Sequence, residues 1–358
     1  MKIITIIGAR PQFIKAAVVS DAIQKMAERG MDIQEAILHT GQHYDANMSD
    51  LFFRQLNIPA PKWHLNCGNK MDEMKASIRP ILETEKPDIV IVYGDTNSTL
   101  AGAETAHSLQ IPVAHIEAGL RSFNDSMPEE RNRILTDRIS TWLFCPTQTA
   151  VDNLHNEGYT NGIHRVGDVM YDAALHFTPD ESRQADILSH YGLESKQFIL
   201  ATMHRASTAD NMEAIAHILQ AFKQINLPVL LPLHPHTAKT INAHSSLQQL
   251  IQEAKNIRII EPVGYIETLT LERHAKFIMT DSGGMQKEAY FQRTPCITLR
   301  EETEWTETVK AGWNRLAGTD TENIMRAINT PFEPRPIDDF GDGMSASHIA
   351  NILWQSEY

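Results

Sequence analysis

The stretch Asp281-Ser282-Gly283-Gly284-Met285-Gln286-Lys287-Glu288 follows the apolar run Lys276-Phe277-Ile278-Met279-Thr280 and opens a helix-like segment. A buried strand that ends in Ser-Gly-Gly and turns into a helix aims unpaired backbone N–H groups at one point. The first helical turn adds the positive end of its dipole, so the turn is suited to an anion. Glycine at Gly283 and Gly284 lets a diphosphate approach the main chain. Glu288, one turn further on, is placed to accept from two ribose hydroxyls. The competing reading is an ordinary strand-to-helix turn.

Working outward, strand-like runs alternate with helix-like ones on both sides. Ile3–Ile7, Glu35–His39, Ile89–Tyr93, Val113–Ile116 and Leu143–Cys145 read as strands in the first half, with amphipathic stretches Ile14–Arg29 and Met71–Glu85 between them. After a polar stretch around Thr178–Lys196 the pattern restarts with Phe198–Thr202, Val229–Pro232, Ile257–Ile260, Phe277–Thr280 and Cys296–Leu299. Apolar strands without alternation, separated by helices, specify parallel sheets covered on both faces. The expected fold class is therefore α/β with two Rossmann-like domains. The first spans 1–175 and is completed by a helix over 345–358, and the second spans 176–344. Ligands of such sheets bind beyond the carboxyl ends of the strands.

The bulk numbers fit this. A chain of 358 residues is long for one core and comfortable for two domains. A net charge of −13 argues against nucleic acid and against an anionic membrane as partner. The three cysteines, Cys67, Cys145 and Cys296, lack metal-type spacing and read as free thiols in a reducing compartment. The opening residues read as a first strand, not a signal segment, and no window approaches a membrane span, so a cytoplasmic location is expected.

Polar clusters follow the predicted strands. Gly8-Ala9-Arg10-Pro11-Gln12-Phe13-Ile14-Lys15 places Arg10 and Lys15 where a phosphate or sugar oxygen could be held, although Lys15 alone reads more readily as a solvated helix start. Asp95, after Tyr93-Gly94, is a candidate site acid or a helix N-cap, or both. Glu117 directly after a buried strand needs a partner, and Arg121 is one option, as a structural ion pair. Glu129 lies in Met127-Pro128-Glu129-Glu130-Arg131-Asn132-Arg133. Asp95, Glu117 and Glu129 in one cleft would repel and raise at least one pKa, which makes an acid/base at neutral pH. His204-Arg205 repeats the strand-then-charge logic, and His204 as a cation suits a departing phosphate. His234 and His236 lack the further ligands a metal shell needs.

Six segments in order resemble the non-hydrolysing UDP-N-acetylglucosamine 2-epimerases: Gly8-Ala9-Arg10-Pro11, Gly94-Asp95-Thr96, Glu117-Ala118-Gly119-Leu120-Arg121, Pro128-Glu129-Glu130-Arg131-Asn132-Arg133, His204-Arg205 and Asp281-Ser282-Gly283-Gly284. The resemblance implies a GT-B-like pair of Rossmann domains with the site in the cleft, no cofactor and no metal, and a homodimer. It implies catalytic roles for Asp95, Glu117, Glu129 and His204. It implies substrate contacts for Arg10, Lys15, Gln42, His43, Arg121, Arg133, Arg205, His234, Ser282, Gly283, Gly284 and Glu288. The substrate implied is a UDP-N-acetylhexosamine for surface polysaccharide precursors. The segment Gly41-Gln42-His43-Tyr44-Asp45 is similar to the branch that includes 2-epimerases of UDP-2,3-diacetamido-glucuronic acid. Tyr44 and Asp45 stand where members activated by a second nucleotide sugar carry Arg-Glu.

A GT-B glycosyltransferase, a hydrolysing 2-epimerase and a non-catalytic nucleotide-sugar binding protein are the alternatives. Three carboxylates beside an anionic ligand argue against the first and the last. The chain carries no G-x-G-x-x-G after any strand, so no dinucleotide is expected.

Overall fold

The computed structural model describes residues 1–42, 53, 55–124 and 126–356. His43, Tyr44 and Asp45 lie outside the described residues. The chain divides into two compact units, one of Met1–His176 with Asp338–Tyr358, the other of Phe177–Ile337.

The first unit holds a seven-stranded sheet built from β1 (Lys2–Ile7), β2 (Gln34–His39), β3 (Trp63–His64), β4 (Ile89–Tyr93), β5 (Val113–Ile116), β6 (Trp142–Cys145) and β7 (Ile163–Arg165), in the order β3-β2-β1-β4-β5-β6-β7. Every pairing is parallel. β4 and β5 are buried along their whole length, as strands covered on both faces must be. Ile4, Ile6, Leu38, Val90 and Val92 pack with Met74, Ile78 and Leu82 of the helix Met71–Glu85 to form one side of the core. The helix Ser345–Gln355 buries Ile349 and Leu353 and packs on the helix Arg10–Glu28.

The second unit repeats the plan with six strands: β8 (Ile199–Thr202), β9 (Val229–Pro232), β10 (Ile257–Ile260), β11 (Ile278–Thr280), β12 (Cys296–Thr298) and β13 (Asn314–Leu316), ordered β10-β9-β8-β11-β12-β13 and all parallel. Ile199, Ala201, Met279 and Ile297 meet Ile215, Ile218, Leu219 and Phe222 in its core.

In each sheet the strand order reverses at one place. The first strand's neighbours are β2 on one side and β4 on the other, and β8 likewise lies between β9 and β11. The connections after β1 and β4, and after β8 and β11, therefore leave in opposite directions and open a crevice at the carboxyl ends. No described helix is long and apolar enough to cross a membrane.

Candidate active site

The loop after β1 is fixed first. Gly8 N–H and Ala9 N–H donate to Gln12 Oε1 at 2.8 and 3.0 Å, while Gln12 Nε2 donates to Tyr93 O at 2.9 Å and Thr99 Oγ1 at 3.0 Å. One buried amide thus ties the end of β1 to the end of β4. A Cβ on Gly8 would lie 2.0 Å from Thr40 Oγ1, so only glycine lets these loops close. Gln42 joins the same junction by accepting from Ser98 N–H and Ser98 Oγ at 2.9 and 2.7 Å.

On this base Lys15 and Glu117 form an ion pair. Lys15 is 7% exposed, so the solvated reading of its sequence position does not hold. The loop after β4 passes beside the pair. A Cβ at Gly94 would sit 3.2 Å from Glu117 Oε2 and 3.3 Å from Lys15 Nζ, and the residue has φ +63°. Glycine is needed there for both reasons. Asp95 is half-buried and pairs with Arg133. The cap of the following helix, Asn97–Ser108, is Thr96 and not Asp95, which leaves the Asp95 carboxylate for other work.

Glu117 itself has φ +74°, a left-handed conformation that costs a non-glycine residue about 1–3 kcal/mol and collects at functional sites. Its turn is held by Glu117 N–H and Ala118 N–H donating to Phe144 O at 3.0 Å each.

The two adjacent glutamates of the helix Pro128–Ile139 divide. Glu130 is buried and accepts from Ser122 N–H, Ser122 Oγ, Phe123 N–H and Arg133 Nη1 at 2.8–3.1 Å. A carboxylate so surrounded is scaffold. Glu129 is exposed on the first turn of that helix.

Arg121 is directed elsewhere than Glu117. Its Nε and Nη2 reach Glu157 at 2.6 and 2.7 Å, and its Nη1 reaches Leu120 O at 2.7 Å and Asp137 Oδ2 at 2.8 Å. Burial works against its charge, but Glu157 and Asp137 outweigh this and raise the guanidinium pKa above its ordinary value.

In the second unit the centre is Asp281, fully buried at the end of β11. Its carboxylate accepts from His204 N–H at 3.0 and 3.1 Å and from Arg205 N–H at 3.0 Å, fastening the loop after β8. The His204 ring lies within 3.5 Å of the same carboxylate and stays 41% exposed. Its ring centroid is 5.9 Å from that of exposed His234, which caps the helix Pro235–Ala243. His236, the neighbour weighed with it as a metal ligand, bonds Asp210 at 2.6 Å.

Ser282 is the N-cap of the helix Gly283–Phe291, with Met285 N–H donating to its Oγ at 3.4 Å. Gly284 is exposed at the helix head, and Glu288, one turn on, reaches back until its Oε2 is 3.9 Å from where a Gly284 Cβ would be. An acceptor thus stands beside the donor turn. Arg10 and Arg205 are half-buried at the starts of their helices.

Gln12, His115, Glu130, Asn132 and Asp137 do not stand out in a motif reading. Their one signal is a polar residue inside an apolar strand or on the covered face of a helix, as with His115 in Val113–Ile116.

Two doubly wound sheets, with charged groups at each switch point and a glycine-headed helix in one, define an α/β enzyme scaffold for an anionic, nucleotide-like ligand. The chain belongs to the UDP-N-acetylglucosamine 2-epimerase family, whose model matches residues 24–354. A UDP-N-acetylglucosamine 2-epimerase homolog of Methanococcus maripaludis is 48% identical over 99% of both chains. The UDP-2,3-diacetamido-2,3-dideoxy-D-glucuronate 2-epimerase of Pseudomonas aeruginosa is 46% identical, again over 99% of each. The crystal structure of the Methanocaldococcus jannaschii UDP-GlcNAc 2-epimerase, in complex with UDP-GlcNAc and UDP, superposes with a TM-score of 0.87 at 40% identity, covering 99% of both chains.

Proposed function

We propose that this protein is a non-hydrolysing 2-epimerase that interconverts UDP-N-acetylglucosamine and UDP-N-acetylmannosamine. The observation that carries the reading is the placement of Asp95 and Glu117, each beside a buried cation, at the switch point of a sheet in a chain so similar to named epimerases.

The C2 hydrogen of such a sugar is weakly acidic, because no carbonyl adjoins it. Breaking the anomeric C1–O bond supplies the missing driving force. UDP leaves with the bonding electrons, the C2 proton passes to a carboxylate, and a C1=C2 double bond forms in a 2-acetamidoglycal. A proton then returns to C2 from the opposite face, and UDP adds back at C1. No oxidant is consumed and atoms balance.

The leaving diphosphate gains charge, which the Ser282-Gly283-Gly284 turn, His204 and Arg205 would stabilise. Glu288 would take the ribose hydroxyls, and His234 the edge of the same site. Two faces of C2 call for more than one proton carrier, hence Asp95, Glu117 and the exposed Glu129. Lys15 and Arg133 pair with Glu117 and Asp95 respectively. Gln42 and Arg121 act as scaffold in this reading, since the bonds described above engage their polar groups.

The second reading is 2-epimerisation of UDP-2,3-diacetamido-glucuronic acid. It is favoured by the 46% identity to the Pseudomonas aeruginosa enzyme. A homodimer and a role in supplying surface polysaccharide precursors belong to the same proposal and rest on the resemblance. The three buried free thiols support a reducing compartment.

The deciding experiment is NMR of the reaction in D₂O with each UDP-sugar and no acceptor. Deuterium at C2 with interconversion of the epimers supports the proposal and names the sugar. Stoichiometric free UDP would assign a hydrolysing enzyme, and no reaction without an acceptor would point to a glycosyltransferase.

A further inference from the structure

Behind the carboxylates lies a hydrogen-bonded core that the chemistry above does not use. His115, in β5, is fully buried. Its Nε2 lies 2.8 Å from the carbonyl oxygen of Gly94, and its Nδ1 lies 2.7 Å from Asp137 Oδ1. A peptide carbonyl only accepts. Asp137 also receives Arg121 Nη1 at 2.8 Å and Gly119 N–H at 3.2 Å. The ring therefore donates from Nε2 to the Gly94 carbonyl, with Nδ1 against Asp137.

The consequence is positional. Gly94 O is pinned by His115, while Gly94 N–H donates to Ile116 O at 2.9 Å. The next carbonyl, Asp95 O, accepts from Asn132 Nδ2 at 3.0 Å. The turn that carries Asp95 is therefore latched through Gly94 to β5, the strand that leads into Glu117, and through the Asp95 carbonyl to the helix Pro128–Ile139. Asp137 simultaneously holds Gly119 N–H, two residues past the left-handed Glu117. It stands on the helix Pro128–Ile139, which also supplies Arg133 and Glu129. We infer that the buried Asp137–His115 pair is the positioning device that sets Asp95 against Glu117, acting through the Gly94 carbonyl. Its catalytic reading rests on the epimerase proposal. Its hydrogen-bond content does not.

The side-chain amides separate the two bonds. Glutamine at position 115 puts its Nε2 near the place of histidine Nε2 and can still donate to Gly94 O. Asparagine puts its Nδ2 near histidine Nδ1 and can serve only Asp137. The experiment compares His115→Gln and His115→Asn in kcat, KM and UDP affinity, beside ¹⁵N–¹H spectra of the wild-type imidazoles between pH 6 and 8. The expected result is that His115→Gln keeps turnover within about tenfold and His115→Asn loses about a hundredfold, both with unchanged KM and UDP affinity. The wild-type spectrum should show a protected Nε2–H proton from one histidine, missing in the variants.

Equal turnover in the two variants, with the wild type active, overturns the inference and leaves the epimerase reading standing. Wild-type protein that epimerises no UDP-sugar removes that reading alone, since the spectrum still decides the bonding. A wild-type spectrum without a protected Nε2–H proton overturns the inference by itself. If either variant fails to fold, the wild-type spectrum alone decides whether His115 Nε2 donates to the Gly94 carbonyl.

Discussion

The Lys15 ammonium and the Glu117 carboxylate meet across 102 residues of sequence, each side chain only 9% exposed. A buried pair of this kind is weak evidence of stabilisation as a pair, but removing one partner is costly because the other stays buried. Lys15→Met should destabilise the first unit by about 3 kcal/mol and abolish turnover. Urea denaturation with an activity assay checks both. A variant as stable as the wild type would show that water already reaches Glu117.

Replacing Asp95, Glu117 and Glu129 one at a time by their amides keeps shape and removes basicity. Turnover should fall by roughly 10²–10⁴-fold while UDP affinity stays nearly constant. Glu130→Gln should behave differently, lowering the melting temperature because it replaces an acceptor oxygen with an amide donor facing the donors Ser122 and Phe123. If all three amides keep near-native turnover, the proton carriers lie elsewhere.

The glycine turn can be tested without disturbing the fold if the right glycine is chosen. A Cβ on Gly283 would lie 2.1 Å from Glu304 Oε1, so substitution there perturbs a neighbouring loop. At Gly284 the nearest atoms are 3.9 Å away. Gly284→Val should therefore leave the melting temperature within a few degrees and weaken UDP binding more than tenfold. Calorimetric titration reads the affinity, and an unchanged value would remove the diphosphate from this turn.

Acid should destabilise the first unit through His39. This residue is 1% exposed, its Nδ1 accepts from Gly41 N–H at 2.8 Å, and its ring stacks on His64 with centroids 4.3 Å apart. Burial first, and His64 second, push its pKa down from 6.5 to about 4. The unfolded chain then binds the proton more readily, so the contribution is complete above pH 6.5 and is lost as pH falls towards 4. The loss amounts to about 3 kcal/mol at most. Denaturation midpoints between pH 4 and 7.5 should slope upward with pH, and His39→Phe should flatten the slope.

Tyr44 and Asp45 carry a prediction from the sequence alone. A guanidinium clamps a second anionic nucleotide, and an aspartate in its place repels one. We expect plain saturation kinetics in both directions, with no activation by a gluco-configured sugar. Sigmoidal initial rates, or a reverse reaction that waits for a trace of that sugar, would overturn this.

The central strands are legible in the sequence because burial on both faces writes them as unbroken apolar runs. Ile89–Tyr93, Val113–Ile116 and Val229–Pro232 have the expected bounds. β3, β7 and β13 are illegible for the opposite reason. They are edge strands of two or three residues, partly exposed, with no apolar run to announce them. At the site, single residues are readable and pairings are not. Arg121 is a natural partner for Glu117 by proximity in sequence, yet Lys15, far away in the chain, holds it, because the switch point brings the ends of β1 and β5 to one edge. The acceptor pair behind the site, Asp137 and the Gly94 carbonyl, is invisible for the same reason: one of its two groups is a peptide bond, which no residue pattern records.

The split of the first unit has a bearing on how the protein is made. The second unit is continuous in sequence, Phe177–Ile337, whereas the first must wait for the segment beginning at Asp338 to cover the helix Arg10–Glu28. On the ribosome the order of synthesis and the order of completion are then reversed. The sheet translated first keeps an apolar helix face open, for roughly ten seconds or more at ordinary elongation rates, while the sheet translated second can already close. A truncation before Ser345 would therefore be felt at the opposite end of the gene product, as aggregation of the part synthesised first.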